Sequence, residues 1–167
     1  MGRFCLGDLE SFFCMAIRRK YHIWNQVELD SMLSRGIEML KSIDVPVSDS
    51  VNPHIKVISS PYVFGLHQDR EDIGKDVVTP YDHLICISAA VLGNSERSIM
   101  NTILHELLHT IPGCSHDNGG KLWLKYANEV NSRFGYNLSV RNNKDMQKGD
   151  RTSLGLCVKH ALHKLSL

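Results

Sequence analysis

The sequence has no hydrophobic run long enough to cross a membrane. Its N-terminal apolar patch covers only residues 12–17, whereas a membrane-spanning helix needs about 20 apolar residues. Asp8 and Glu10 precede the patch and basic residues 18–20 follow it, which is the wrong order for a secretory signal. We therefore expect an amphipathic helix that packs on the domain, and no membrane partner.

A paired cysteine framework and low-complexity linkers are also missing. The five cysteines are odd in number and widely spaced, which excludes a small disulfide-stapled fold and favours reduced thiols in the cytoplasm. A chain of 167 residues with 43% hydrophobic content can bury a sufficient core. We expect one domain over residues 1–167, with an N-terminal extension at 1–25 and a tail at 140–167.

A strong net charge is absent, but the charge is unevenly distributed. The chain carries +1 in total, yet residues 121–167 hold nine Lys and Arg against three acidic residues. A basic C-terminal third is compatible with DNA as a partner. An ordinary solvated basic surface is the commoner meaning of such a segment, and no interleaved aromatic pattern accompanies it.

The most informative motif that is present is His105-Glu106-Leu107-Leu108-His109. On a helix, residues four apart share one face, so the two imidazoles can bind a single ion. Zinc held by two histidines with an open coordination position acidifies water, and the adjacent Glu106 can take the proton as that water attacks a carbonyl. The pattern is typical of a metal-dependent hydrolase.

The surrounding residues favour a helix for this motif. Ser95 is a good N-cap, Glu96 is favourable in the first turn, and residues 112–113 (Pro-Gly) would end the helix after about Thr110. Apolar residues recur at helical spacing, as expected of a helix buried against a sheet. The competing interpretation is a core helix whose histidines only satisfy hydrogen bonds.

A zinc site of this type needs a third protein ligand, and the loop after the helix supplies candidates. His116 is preferred, Asp117 is the alternative, and Cys114 ranks third. Gly113 permits a sharp reversal of the chain towards the helix.

The C-terminal half resembles the SprT-like zinc metallopeptidases, the relatives of the DNA-protein crosslink protease Spartan, and in particular their short bacterial and phage members. The residues that carry the resemblance are HELLHT at 105–110, Pro-Gly-Cys at 112–114, Gly-Lys-Leu-Trp at 120–123, Tyr-Ala at 126–127, Val-Asn at 130–131 and Phe-Gly-Tyr-Asn at 134–137. The resemblance is specific over about residues 98–138. It implies a single-domain, zincin-like α/β (α+β) fold, in which helices pack a small mixed sheet and HELLH lies on the active-site helix. It also implies a protein or peptide substrate and points to DNA.

The sequence departs from that family in two places. Gly119 stands where the family usually has its third histidine, so His116 would reach the metal from three residues earlier. In the tail, Cys157 and His160 are all that remains of the four-cysteine zinc ribbon of many relatives, and half a ribbon cannot close a tetrahedral site. We therefore expect a degenerate or truncated ribbon and one zinc per chain.

The rest of the chain is predicted to form the scaffold. We expect helices at 26–43 and 120–134, strands at 55–58, 62–66 and 83–88, and an exposed loop at 67–80. Trp123 is expected to be a core residue rather than a substrate contact.

Together these features predict a zinc endopeptidase. His105, His109 and His116 would bind zinc, and Glu106 would be the general base. A further group for the tetrahedral intermediate could come from Tyr126, Tyr136 or a histidine such as His67. One alternative is a non-proteolytic zinc- or DNA-binding module that keeps the same SprT-like set of metal-binding residues. Another is a hydrolase of small peptides.

Overall fold

A computed structural model describes residues 22–74, 79–114 and 120–140. Several sequence predictions lie outside these ranges. They concern the apolar patch at 12–17, the loop candidates His116 and Asp117, and the tail from residue 141, with Cys157 and His160.

The described residues combine four α-helices with a three-stranded sheet, which agrees with the predicted α+β class. In chain order they are α1 (Gln26–Lys41), β1 (Lys56–Ile58), β2 (Gly65–Gln68), α2 (Arg70–Ile73), β3 (Leu84–Ser88), a short 3₁₀ turn (Ala89–Val91), α3 (Glu96–Leu108) and α4 (Lys121–Phe134). None of the helices in the described ranges is long and apolar enough to cross a membrane.

Strand β3 is the centre of the sheet, whose order is β1-β3-β2. It runs parallel to β1 and antiparallel to β2, with Gly65 opposite Ile87 and His67 opposite Ile85. The Ser88 amide donates to the Phe64 carbonyl at 2.9 Å. Because hydrogen-bonded and non-hydrogen-bonded pairs alternate along an antiparallel ladder, the backbone polar groups of Gly65 and His67 point away from β3.

Helix α3 packs between α1 and the sheet. Gly36 of α1 allows the close helix contact, since a Cβ there would lie 3.2 Å from the Leu107 side chain. On the other side, α3 contacts β2 and β3. The helix that carries the HELLH motif is therefore the core helix of the described fold.

The bounds predicted from the sequence agree well with the structure for the helices and less well for β2. Ser95 caps α3 as expected and accepts from the Ser98 amide. Strand β2 begins three residues later than predicted and extends to Gln68. His67 was predicted to open an exposed loop, but it belongs to this strand and is only 8% exposed. The prediction of a loop failed because strand pairing and the contact with α3 override the polar local composition.

Candidate metal centre

His105 lies on the last turn of α3 and His109 is its C-cap residue, with their imidazoles directed at each other. Their Nε2 atoms are 3.4 Å apart and their ring centroids 5.2 Å apart. Two nitrogens that bind zinc tetrahedrally at about 2.0–2.1 Å are separated by about 3.3 Å. The pair therefore fits the spacing of two ligands on one zinc ion.

A backbone hydrogen bond selects the tautomer of His109. Its Nδ1 lies 2.8 Å from the carbonyl oxygen of Cys114. A carbonyl can only accept, so Nδ1 carries a proton, and Nε2 is the nitrogen that faces His105. The turn that presents this carbonyl is closed by a hydrogen bond from the Cys114 amide to the Ile111 carbonyl, and Gly113 within it has φ +87°. Such a second contact is how proteins orient a metal-binding histidine.

Trp123 of α4 forms the apolar wall behind both histidines. Its ring centroid is 4.9 Å from that of His105 and 6.1 Å from that of His109. The residue is completely buried, in agreement with the predicted core role. Within the described ranges its buried Nε1 has no hydrogen-bond partner. Packing by Trp123 limits the rotation of the two imidazoles and keeps water from that side.

Glu106 faces β2 from the same turn of α3. It is 7% exposed. Burial raises the pKa of its carboxyl to about 8, against the effect of a backbone hydrogen bond from His67. A carboxyl with this pKa is largely protonated at pH 7, and a neighbouring cation would favour the ionised form that can accept a proton.

Gly65 allows the backbone of β2 to reach this carboxylate. A Cβ at Gly65 would lie 2.6 Å from Oε1 and 2.8 Å from Cγ of Glu106, and 2.6 Å from Cγ2 of Thr102. Since real Cβ atoms do not approach so closely, any side chain here would displace either the strand or Glu106. The absence of a side chain at position 65 therefore sets the position of the carboxylate.

Two further histidines adjoin the pair, and sequence reasoning recognised only one of them. His67 Nε2 lies 2.9 Å from His83 Nδ1, and the His67 ring stacks at 6.2 Å from that of His109. Burial, followed by the nearby His83 and His109, lowers the pKa of His67 to about 4, so the ring is neutral at physiological pH. His83 was missed because it lies next to His67 only through the pairing of β2 with β3.

One of the two tyrosines proposed for the tetrahedral intermediate lies far from the pair. Tyr136 packs its ring 5.2 Å from the guanidinium of Arg97, at the start of α3. His105 follows eight residues later, which is about 12 Å along the helix axis. Tyr126 is half-buried against the core, with the Lys125 ammonium 5.3 Å from its ring centroid. Of the three candidates, His67 is the one in ring contact with His109.

Among the described residues, His105 and His109 are not part of a larger group of metal-binding side chains. Within 22–74, 79–114 and 120–140, no three His, Cys, Asp or Glu side chains form a group that could hold a metal ion. Cys114 contributes its backbone carbonyl, which accepts a hydrogen bond from His109 Nδ1. His116 and Asp117 follow within three residues, outside the described ranges.

No protein-family model, curated protein or solved structure matches the chain significantly. The geometry of His105, Glu106 and His109 therefore carries the functional assignment.

Proposed function

We propose that this chain is a zinc-dependent endopeptidase of the SprT-like type, with a zincin-like fold. His105 and His109 would hold one zinc together with His116, and Glu106 would be the general base. The observation that carries the proposal is the 3.4 Å separation of the two Nε2 atoms beside a buried carboxylate. The donor set also fits, since neutral imidazoles favour zinc over calcium or magnesium.

Glu106 would move the proton in both halves of the reaction. A bound zinc would supply a Lewis acid that lowers the pKa of water and polarises the substrate carbonyl. As the water oxygen bonds to the carbonyl carbon, Glu106 accepts the water proton. It then passes that proton to the peptide nitrogen while the C–N bond breaks, which releases a carboxylic acid and an amine that ionise to carboxylate and ammonium.

The edge of β2 supports an extended polypeptide as the substrate. Within the described residues β2 is an edge strand, and the backbone groups of Gly65 point away from β3, next to the His67 amide that donates to Glu106. An extended peptide can add to such an edge through main-chain hydrogen bonds, which recognise shape more than sequence. This favours an endopeptidase of broad specificity over a hydrolase of small peptides. The basic residues after 121 extend the proposal to DNA-associated protein substrates.

The test of this function is Glu106→Gln. The amide preserves the side-chain shape but cannot take a proton, so zinc content should be unchanged while proteolysis of casein or histone falls about 10²- to 10⁴-fold. Glu96→Gln is the matched control, because it makes the same change at an exposed position of the same helix. It should leave turnover unchanged.

Two outcomes would reject the assignment in different ways. Equal turnover by wild type and Glu106→Gln would remove Glu106 from the mechanism. An inactive wild type that retains zinc, with and without DNA, would instead establish the non-proteolytic zinc module.

The third ligand requires its own comparison. His116→Ala should weaken zinc strongly in chelator competition and abolish hydrolysis, because two imidazoles alone hold zinc loosely. Asp117→Ala should cost only about 10- to 100-fold in affinity, as expected of a group that contacts a ligand rather than the metal. The reverse ranking would assign the role to Asp117.

A further inference from the structure

We propose that His67, oriented by His83, donates a hydrogen bond from its Nδ1 to the substrate carbonyl oxygen as that oxygen gains negative charge. This inference rests on the proposed function and assigns one more catalytic residue to the same site.

The position of His67 is the first argument. Its ring stacks on His109 at 6.2 Å with 23° between the planes, whereas the rings of His105 and His109 are 5.2 Å apart. The His67 ring therefore lies beside His109, one ångström further from it than the His105 ring. Its Nε2 already contacts His83, which removes that nitrogen as a third ligand.

The pairing with His83 is the second argument. Nε2 of His67 and Nδ1 of His83 are 2.9 Å apart, so one of them donates and the other accepts. If His83 donates, the single proton of neutral His67 resides on Nδ1, which has no hydrogen bond within the described part of the chain. Burial lowers the pKa of His83 more than the carboxylates of Asp82 and Asp69 raise it, so His83 enters this hydrogen bond as a neutral imidazole. The shared proton is assigned to its Nδ1.

The chemistry of peptide hydrolysis calls for such a donor. Attack by water converts the carbonyl oxygen into an oxyanion, and a donor that is already oriented stabilises this charge more than the ground state. His67 needs no proton transfer for this role, because its N–H bond stays intact throughout. Loss of one oxyanion donor typically lowers kcat about 10²- to 10³-fold.

A purely structural role makes a different prediction. The histidine pair could simply tie β2 to the segment that leads into β3. His67→Gln separates the two roles, because the glutamine amide occupies roughly the position of Nε2. The tie to His83 can therefore persist, but no donor remains at the position of Nδ1.

We expect His67→Gln to lower kcat about 10²- to 10³-fold with little change in KM or zinc affinity. His83→Asn retains an N–H near the position of Nδ1 and should keep most of the activity, whereas His83→Leu should lose it. Wild-type kcat in His67→Gln would overturn the inference, as would equal losses in His83→Asn and His83→Leu. An inactive wild type would overturn the proposed function itself, and this inference with it.

A second measurement does not depend on turnover. Imidazole ¹⁵N shifts of the metal-free protein report which nitrogen of each ring is protonated. We expect protonated Nδ1 and unprotonated Nε2 on His67, together with protonated Nδ1 on His83. A proton on His67 Nε2 would overturn the inference even if the enzyme is an active peptidase.

Discussion

Gly65→Ala tests the contact between β2 and Glu106, the proposed general base. The backbone of Gly65 has a negative φ, so alanine meets no conformational barrier there and its effect is steric. The added methyl would lie 2.6 Å from Glu106 Oε1 and from Thr102 Cγ2, whereas ordinary contact begins at 3.4 Å. The deficit of 0.8 Å can be relieved only by moving the strand, the carboxylate or both.

The expected size of the effect of Gly65→Ala depends on whether the strand or the carboxylate moves. Overpacking of a buried contact costs about 1–3 kcal/mol of folding free energy. A displacement of about 1 Å at the reacting group can cost about 10²-fold in rate. We therefore expect Gly65→Ala to lower the midpoint of urea unfolding and to reduce kcat about 100-fold, with zinc content unchanged.

Two companion variants separate the effect of replacing a glycine from the effects of the clashes with Thr102 and Glu106. Gly74→Ala is the control for glycine replacement, since Gly74 has φ +91° and nothing within 4 Å of the added methyl. It should cost stability through backbone strain and leave kcat unchanged. In Gly65→Ala/Thr102→Ser the clash with Cγ2 is removed, while the hydroxyl that donates to Ser98 is kept. This double variant should regain part of the lost stability but not activity, because the clash with Glu106 remains. Wild-type stability and kcat in Gly65→Ala would refute the reasoning.

Three further predictions concern other parts of the chain. Burial acts to raise the pKa of Asp30, but hydrogen bonds led by the one from His54 outweigh it and lower the pKa below 3.8. The ionised carboxylate therefore stabilises the fold above pH 3.8, and this stabilisation is lost as the pH falls further. In Asp30→Asn, the free energy of unfolding from urea titrations should depend less on pH between pH 2 and 5. Trp123→Phe removes an N–H without a described partner and should cost much less than the about 3–5 kcal/mol expected for Trp123→Ala, as measured by chemical unfolding. If the tail binds DNA, the affinity should fall steeply with salt concentration, and Lys148→Ala should lower the slope of log affinity against log salt by about one unit. DNA binding that does not depend on salt would contradict this.

The helical part of the site was predictable from local sequence. The cap at Ser95 and the i, i+4 spacing of His105 and His109 depend on neighbours within one or two turns, and α3 begins where they indicate. The apolar stripe of α4 likewise predicted that Trp123 would be buried. These signals lie within one helix, so no knowledge of the fold was needed to interpret them.

The β2 side of the site could not be predicted in this way. Gly65 and Glu106 are 41 positions apart, and their contact exists only because β2 pairs with β3 and lies against α3. The residues after 66 are polar and charged, which predicted a loop and concealed the burial of His67. In this chain α3 and its C-cap carry His105, Glu106 and His109, while β2 lies against Glu106 and brings His67 to His109, with His83 joining from the segment before β3. A motif search finds the first group of residues, and only the pairing of strands reveals the second.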